Sequence, residues 1–201
     1  MPWEGILGHD LIAKQFASAE AAGRIAGSYL FIGPEGVGKA TFARALIMAL
    51  ACQHSTDQLE ACRKCVSCVQ ALAGTHPDID IVQKPAERTT IPLEALLGSS
   101  DQKLRAGLCW RLLLRPQLAS RKFAVLLDAD HLSEEAANCL LKTLEEPPPG
   151  AVLILVGTTL ERQLPTIRSR CQVIRFPQLT DTMIKKILQL EELQNGQEIE
   201  E

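Results

Sequence analysis

The chain has 201 residues, with 21 Lys and Arg against 24 Asp and Glu, and its net charge of −3 excludes a generally basic, nucleic-acid-coating surface. Its hydrophobic content of 46% is enough for one sizeable α/β core with a small appendage. No apolar run reaches the roughly 20 residues of a membrane span. Residues 1–5 also lack the basic and apolar regions of an export signal, so we expect a cytoplasmic protein with no membrane partner.

Helices and strands are predicted to alternate from the start of the chain. An Ala-rich amphipathic pattern predicts a helix over 11–25, with Asp10 as its N-cap. Strands are expected at Ser28–Ile32 and Ile79–Val82, and an apolar helix over 41–52.

The second half of the chain continues this alternation. The expected elements are a helix over 101–114 that Pro116 ends, a strand over 123–127, a helix over 133–144 opened by Ser133, strands over 151–156 and 172–176, an amphipathic helix over 180–193 and a polar tail over 194–201. The pattern predicts an α/β fold with a parallel sheet and right-handed crossovers. We expect a core over 1–178 and the beginning of a truncated helical domain over 179–201, where the composition changes.

Residues 33–40 read GPEGVGKA and match the phosphate-binding pattern GxxxxGK[ST] except at the last position. The strand-like segment before them and the helical segment after them argue against a chance Gly-rich turn. Gly33, Gly36 and Gly38 would let backbone N–H groups point toward phosphate oxygens, and Lys39 would add a positive charge at the outer phosphates. The sequence therefore predicts a nucleotide site.

The last position of this pattern is Ala40, which lacks the hydroxyl that would bind Mg²⁺. Thr41 is the next hydroxyl, but on a helix its side chain points about 100° away from that of Ala40. We include both residues in the predicted nucleotide site and expect its metal binding to be impaired.

Asp128 directly follows the predicted buried strand over 123–127, where a carboxylate can hold Mg²⁺ opposite the phosphate loop. ATP-hydrolysing proteins of this kind carry an acidic residue at the next position, which is Ala129 here. The chain is expected to turn before Asp130. A second interpretation, in which Asp128 and Asp130 only cap a turn, stays open. Losses at positions 40 and 129 together predict inefficient hydrolysis.

Cys52, Cys62, Cys65 and Cys68 have the spacing C-x9-C-x2-C-x2-C in a polar segment. Four thiolates suit a closed tetrahedral Zn²⁺ site with a structural role, since no coordination position stays open for a substrate. His54 is an alternative ligand in place of Cys52. An iron–sulfur cluster uses similar thiolates, but nothing else in the sequence indicates electron transfer.

Polar side chains end the fourth predicted strand at Thr158 and Thr159, where one of them can sense the terminal phosphate of a nucleotide. Arg168 and Arg170 follow on a predicted helical turn. An arginine that projects from a subunit can stabilise the transition state in a neighbour's active site. Considered alone, each arginine is more typical of a solvated surface charge.

The segment over 128–148, DADHLSEEAANCLLKTLEEPP, together with SRC at 169–171, closely resembles the bacterial clamp-loader AAA+ subunits. The cysteine cluster and THPD at 75–78 strengthen this resemblance, which covers about residues 6–190. It implies an AAA+ P-loop NTPase-type parallel sheet flanked by helices, with a small zinc-binding insertion at 52–68 and the start of a helical lid.

The clamp-loader family contains ATP-hydrolysing tau/gamma subunits and a delta-prime branch with degenerate nucleotide motifs. Ala40 and Ala129 make the chain similar to the delta-prime branch of the DNA polymerase III holoenzyme. The resemblance implies an arginine finger acting in trans at Arg170, a phosphate sensor at Thr159 and structural zinc at the four cysteines. It implies a subunit of a nucleotidyltransferase complex, itself without polymerase activity and with little or no ATPase activity.

The partners implied by the resemblance are the tau/gamma and delta subunits, the sliding clamp and, through the complex, primer–template DNA. ATP or ADP with Mg²⁺ would bind weakly. An active tau/gamma-type ATPase is the alternative, and it would need Thr41 to bind Mg²⁺ and Asp130 to activate water. A stand-alone zinc-dependent binding module is disfavoured, because the cysteine segment is a short insertion. The family continues into a lid and a collar, so we expect a fragment or a short form.

Overall fold

The computed structural model describes residue 3 and residues 6–98 and 106–197, with only the backbone described for 190–197. The strands are β1 (Ser28–Ile32), β2 (Ile79–Val82), β3 (Lys122–Leu126), β4 (Ala151–Gly157) and β5 (Gln172–Arg175). The helices are α1 (Asp10–Ala21), α2 (Lys39–Ala51), α3 (Val66–Leu72), α4 (Leu93–Leu97), α5 (Leu108–Leu113), α6 (Glu134–Glu145), α7 (Pro165–Arg168) and α8 (Asp181–Gln197), with a 3₁₀ turn at Ala129–His131.

The five strands form one parallel sheet in the order β2-β3-β4-β1-β5, which confirms the predicted fold class. The strand β1 lies between β4 and β5, so the loop that follows β1 starts beside the carboxyl end of β4. Every residue of β1, β3 and β4 is buried, because helices cover both faces of the sheet.

Successive residues of the central strands belong to two hydrophobic clusters on opposite faces of the sheet. Phe31 and Phe123 pack in one cluster, and Leu30 and Ala124 pack in the other. The first cluster also contains Phe42 of α2, whose ring centroid lies 6.0 Å from that of Phe31. This contact fixes α2, and therefore the loop before it, against the sheet.

The helix predicted over 11–25 is shorter in the structure. It begins at Asp10 and ends at Ala21, with His9 rather than Asp10 as the N-cap residue. Gly23 adopts a positive φ of 65°, and the N–H of Arg24 donates back to the Ala19 carbonyl, so the chain turns out of the helix there.

A helix was predicted over 101–114, of which 101–105 lie outside the described residues. Within the described residues, the predicted start of this helix is wrong. The helix α5 covers only Leu108–Leu113, because Gly107 is extended and packs against the backbone of Leu96 and Leu97. The tail predicted over 194–201 is helical as far as Gln197. In the part of the chain that the structure describes, no helix is both long and apolar enough for a membrane crossing.

Candidate functional site: a nucleotide cleft, a cysteine cluster and a surface arginine

A cleft of about 450 Å³ lies at the carboxyl edge of the sheet, between the loop after β1 and the ends of β3 and β4. Its lining comprises Glu35, Gly36, Gly38, Lys39, Ala40, Thr41, Gln83, Leu127, Asp128, Asp130, His131, Val156, Gly157 and Thr158. The cleft is where parallel α/β sheets generally bind ligands.

The loop before α2 is held in place by contacts at both of its ends. The Gly33 N–H donates to the Thr158 carbonyl at 3.1 Å, and a Cβ at Gly33 would lie 2.5 Å from the Phe176 carbonyl oxygen. Gly38, the N-cap of α2, has a φ of 89° that favours glycine. The N-terminus of α2 therefore faces the cleft, as anion binding requires.

His9 supports this loop through a hydrogen bond that the sequence did not predict. Its buried ring donates through Nε2 to the Val37 carbonyl at 2.6 Å. The motif gave no signal for this role, because 28 residues separate the two groups along the chain.

Lys39 is 7% exposed, and its ammonium donates to the carbonyls of Gly33 at 2.6 Å and Pro34 at 2.5 Å. Burial lowers the pKa of Lys39, and the negative charges of Asp130 and Glu35 act in the opposite direction. The ammonium thus folds back onto its own loop. A phosphate would have to replace these carbonyls as its partner.

Ala40 and Thr41 both line the cleft at the first turn of α2. Ala40 brings no oxygen to it, and the Thr41 side chain is exposed. Position 40 therefore offers the cleft no hydroxyl for a metal ion.

Asp128 lies at the mouth of the cleft with a left-handed backbone, at a φ of 57°. Its side chain is exposed, and Oδ2 accepts a long hydrogen bond of 3.4 Å from the Lys84 N–H. Ala129, by contrast, is 4% exposed and packs in the core on the far side of the sheet. Position 129 therefore brings no carboxylate to the cleft.

Asp130 lines the cleft with Lys39, and its charge acts on the Lys39 ammonium, although the sequence gave it only a weak expectation. Its Oδ2 accepts from both the N–H and the Oγ1 of Thr158, at 2.8 and 2.7 Å. Its Oδ1 accepts from the amide of Gln163, a buried residue. Asp130 comes into this position because the 3₁₀ turn after β3 rotates it toward the end of β4.

The phosphate-sensor role predicted at Thr159 stays a prediction. Thr158 lines the cleft and binds Asp130, whereas Thr159 is exposed and is not among the described lining residues. The reason is the alternation of side chains at a strand end, which sends consecutive residues to opposite sides.

The Sγ atoms of Cys52, Cys62, Cys65 and Cys68 all lie within 4.8 Å of one another. Two of the separations, Cys52 to Cys65 and Cys62 to Cys68, are 4.0 Å. Tetrahedral Zn²⁺ with bonds of about 2.3 Å places sulfur atoms about 3.8 Å apart, so the donor set fits this ion. The cluster can hold a metal ion.

Backbone N–H groups donate to these sulfur atoms, which favours thiolates over thiols, whereas burial acts in the opposite direction and raises the pKa of Cys52 and Cys68. The Cys62 and His54 N–H groups each lie 3.3 Å from Cys52 Sγ, and the Cys65 N–H lies 3.3 Å from Cys62 Sγ. Backbone hydrogen bonds, chiefly from Lys64 and then Cys65, lower the pKa of Cys62 to about 6. His54 is exposed and is not one of the grouped ligands, so the alternative in which it replaces Cys52 is not supported.

A buried polar network fastens the cysteine segment to the sheet. Ser67 of α3 donates to the Ala51 carbonyl at 2.7 Å, and its hydroxyl lies 2.9 Å from His76 Nε2. His76 Nδ1 accepts from the Asp78 N–H at 3.0 Å. The THPD turn thus connects α2, α3 and β2, which explains why His76 and Asp78 are buried.

Arg170 lies two residues after the end of α7, on the exposed surface. Its Nη2 is 2.7 Å from Glu145 Oε1, and Nη1 donates to the Thr166 carbonyl at 2.9 Å. Arg168, at the end of α7, is also exposed. The structure therefore places the predicted finger where another subunit could reach it.

The sequence model for the family described as DNA polymerase III, delta subunit, matches residues 8–180. The chain belongs to this clamp-loader family. It is 35% identical over 144 residues to DNA polymerase III subunit delta' of Pseudomonas aeruginosa, which covers 72% of this chain and 41% of that protein. It is 30% identical over 197 residues to subunit tau of Bacillus subtilis, which covers 96% of this chain and 32% of that protein.

Solved structures agree with the family at the level of the fold. A DNA polymerase III gamma subunit-related protein from Thermotoga maritima matches with a TM-score of 0.50 and 19% identity, over 84% of this chain and 47% of that one. The chain spans less than half the length of these relatives of the clamp-loader family. The delta' and tau relatives match at similar identity, so these similarities establish the family but not the branch.

Proposed function

We propose that the chain is a delta-prime-type clamp-loader subunit that hydrolyses little or no ATP and supplies Arg170 to a neighbouring ATPase subunit during sliding-clamp loading. The observation that carries this proposal is the cleft itself. It keeps the phosphate loop, but Ala40 brings no hydroxyl to it and the residue after Asp128 is buried in the core.

The alternative, an active ATPase of the tau/gamma type, is supported by the match with subunit tau across 96% of the chain. It requires a carboxylate that is free to orient a water molecule. Both oxygens of Asp130 already accept hydrogen bonds, from Thr158 and Gln163. Asp130 therefore acts as a brace between strand ends, and its geometry favours the first proposal.

The proposed cofactors are structural Zn²⁺ at the four cysteines and weakly bound ATP or ADP with Mg²⁺ in the cleft. The proposed partners are tau/gamma and delta subunits, the sliding clamp and primer–template DNA, since the similar proteins are named as DNA polymerase III subunits. We also propose that residues 1–178 form the AAA+ core and that α8 begins a helical lid. A cytoplasmic location is consistent with this role.

The deciding experiment uses a clamp loader reconstituted from this chain with tau/gamma-type and delta subunits. Arg170→Ala should leave the subunit assembled and slow ATP hydrolysis by the complex, because the finger's fixed charge stabilises phosphoryl transfer. One finger in trans can contribute about 10³-fold, although several active sites in one complex reduce the observed loss. Arg168→Ala is the matched control and should have little effect.

Assembly is measured by co-elution, and hydrolysis by steady-state phosphate release. If the Arg170→Ala complex assembles and turns over at the unmodified rate, Arg170 is not a finger. If the isolated chain hydrolyses ATP at the roughly 1 s⁻¹ of a working enzyme, the tau/gamma alternative is correct.

A further inference from the structure

We propose that Glu145 is a positioning residue for Arg170, holding its guanidinium in the orientation that reaches a nucleotide phosphate on a neighbouring subunit. This inference rests on the proposed function of Arg170. Glu145 Oε1 lies 2.7 Å from Arg170 Nη2. The Thr166 carbonyl and the Ser169 hydroxyl accept from Nη1 at 2.9 and 3.3 Å.

The acceptors come from two helices that are packed against each other through the core. Glu145 is the last residue of α6, directly after buried Leu144, and Thr166 in α7 directly precedes buried Ile167. Leu144 and Ile167 belong to the same hydrophobic cluster. The acceptors are therefore fixed relative to each other, and they bind the guanidinium from two directions.

A guanidinium carries five N–H donors, and these contacts leave some of them for a ligand. The Arg170 side chain is 32% exposed, so a neighbouring subunit can approach it. An arginine side chain loses much rotamer freedom when it is ordered on a phosphate. A side chain that is already held loses less, and catalysis depends on such preorganised charge.

The Glu145 carboxylate also has an effect that opposes catalysis, because its negative charge partly offsets the positive charge of the guanidinium. The ion pair is largely solvated, with Glu145 51% exposed, so its electrostatic effect is screened. Its directional hydrogen bond, in contrast, depends on geometry alone. We therefore expect orientation to outweigh charge.

The two effects predict opposite results for two substitutions at one position. Glu145→Ala removes the acceptor, whereas Glu145→Gln removes the charge and keeps an amide oxygen in its place. If Glu145 positions Arg170, Glu145→Ala should lower kcat for ATP hydrolysis by the reconstituted complex about three- to fivefold. KM for ATP should be unchanged, and Glu145→Gln should restore most of the rate.

The matched control is Glu146→Ala, since Glu146 is the adjacent exposed acid and caps α6 through its backbone only. It should leave kcat unchanged. In an Arg170→Ala background, Glu145→Ala should cause no further loss, because the group that it positions is gone.

The outcomes separate this inference from the proposed function. If Arg170→Ala slows the complex but Glu145→Ala does not, Arg170 is a finger that Glu145 does not position. If both Glu145 substitutions raise the rate, Glu145 opposes the finger by its charge, and the inference is wrong. If Arg170→Ala has no effect on an assembled complex, the proposed function of Arg170 fails and the inference fails with it.

Discussion

Asp130 and Thr158 join the carboxyl ends of neighbouring strands β3 and β4, through two hydrogen bonds from Thr158 to one carboxylate oxygen. The carboxylate lies in the cleft at the carboxyl edge of the sheet, and Gln163 donates to its other oxygen. This pair fixes the wall of the cleft that faces Lys39.

Thr158→Val should lower the free energy of unfolding by about 1 kcal/mol, because it removes one donor to a partly buried carboxylate while keeping the side-chain shape. Thr159→Val is the control at the next position, and its effect should stay within about 0.5 kcal/mol because Thr159 is exposed. Urea unfolding of the two variants measures both changes in the free energy of unfolding. Equal effects would contradict the placement of Thr158 in the cleft.

From the cysteine cluster we expect one Zn²⁺ per chain, and elemental analysis of reduced, freshly purified protein measures it. Cys65→Ser should abolish stoichiometric zinc and lower the free energy of unfolding by about 3 kcal/mol or more, because metal binding is coupled to folding. Cys171→Ala should keep the zinc, since Cys171 lies outside the grouped cysteines. Zinc-free but fully stable protein would overturn the assignment.

Nucleotide binding should depend on Lys39 and be weak. Lys39→Ala should reduce the affinity for a fluorescent ADP analogue about tenfold, because a charge-assisted contact to phosphate is lost. Lys14→Ala, an exposed lysine on α1, serves as the control. Ala40→Thr should increase the affinity only when Mg²⁺ is present, since it restores the metal-binding hydroxyl. A gain without Mg²⁺ would be inconsistent with that role.

Asp78 and Lys122 form a buried ion pair of 2.9 Å, with side chains 0% and 5% exposed. Burial alone would raise the pKa of Asp78. Hydrogen bonds from Lys122 and from the N–H groups of Ala119, Leu118 and Gln117 outweigh it and lower the pKa to about 2, from an ordinary 3.8. The ionised Asp78 therefore stabilises the fold by about 2 kcal/mol above pH 4, and this contribution disappears as the pH falls through 2.

Asp78→Asn should destabilise the protein at neutral pH by about 3 kcal/mol or more, because it leaves Lys122 buried without its counter-ion. The difference from the unmodified protein should narrow as the pH falls below 4. Asp80→Asn is the control, because Asp80 pairs with the partly exposed Arg111. Such pairs usually contribute ~0–1 kcal/mol, so this substitution should lower the free energy of unfolding by at most about 1 kcal/mol. Urea unfolding at a series of pH values tests both statements. A constant difference down to pH 3 would contradict the linkage.

The sequence by itself determined the features that local patterns encode. An apolar run identified the strand Ser28–Ile32 with its observed bounds, since burial on both faces leaves a continuous apolar signal. The edge strand Ile79–Val82 was also predicted with its observed bounds, from the turn signal that precedes it. Ser133 was correctly predicted to cap α6, and its Oγ accepts from the Ala136 N–H. The phosphate-loop motif and the C-x9-C-x2-C-x2-C spacing were also readable, because each motif lies within one short stretch of the chain.

Only the tertiary structure decided which groups meet across the sheet. The charge of Asp130, rather than that of Asp128, acts on Lys39, since a 3₁₀ turn follows β3. Thr158, rather than Thr159, reaches the cleft at the end of β4. Neither outcome follows from spacing, since a rotation of one residue at a strand end exchanges the inward and outward side chains. The contact between Glu145 and Arg170 likewise joins residues 25 positions apart, and it exists because α6 and α7 pack on one hydrophobic cluster.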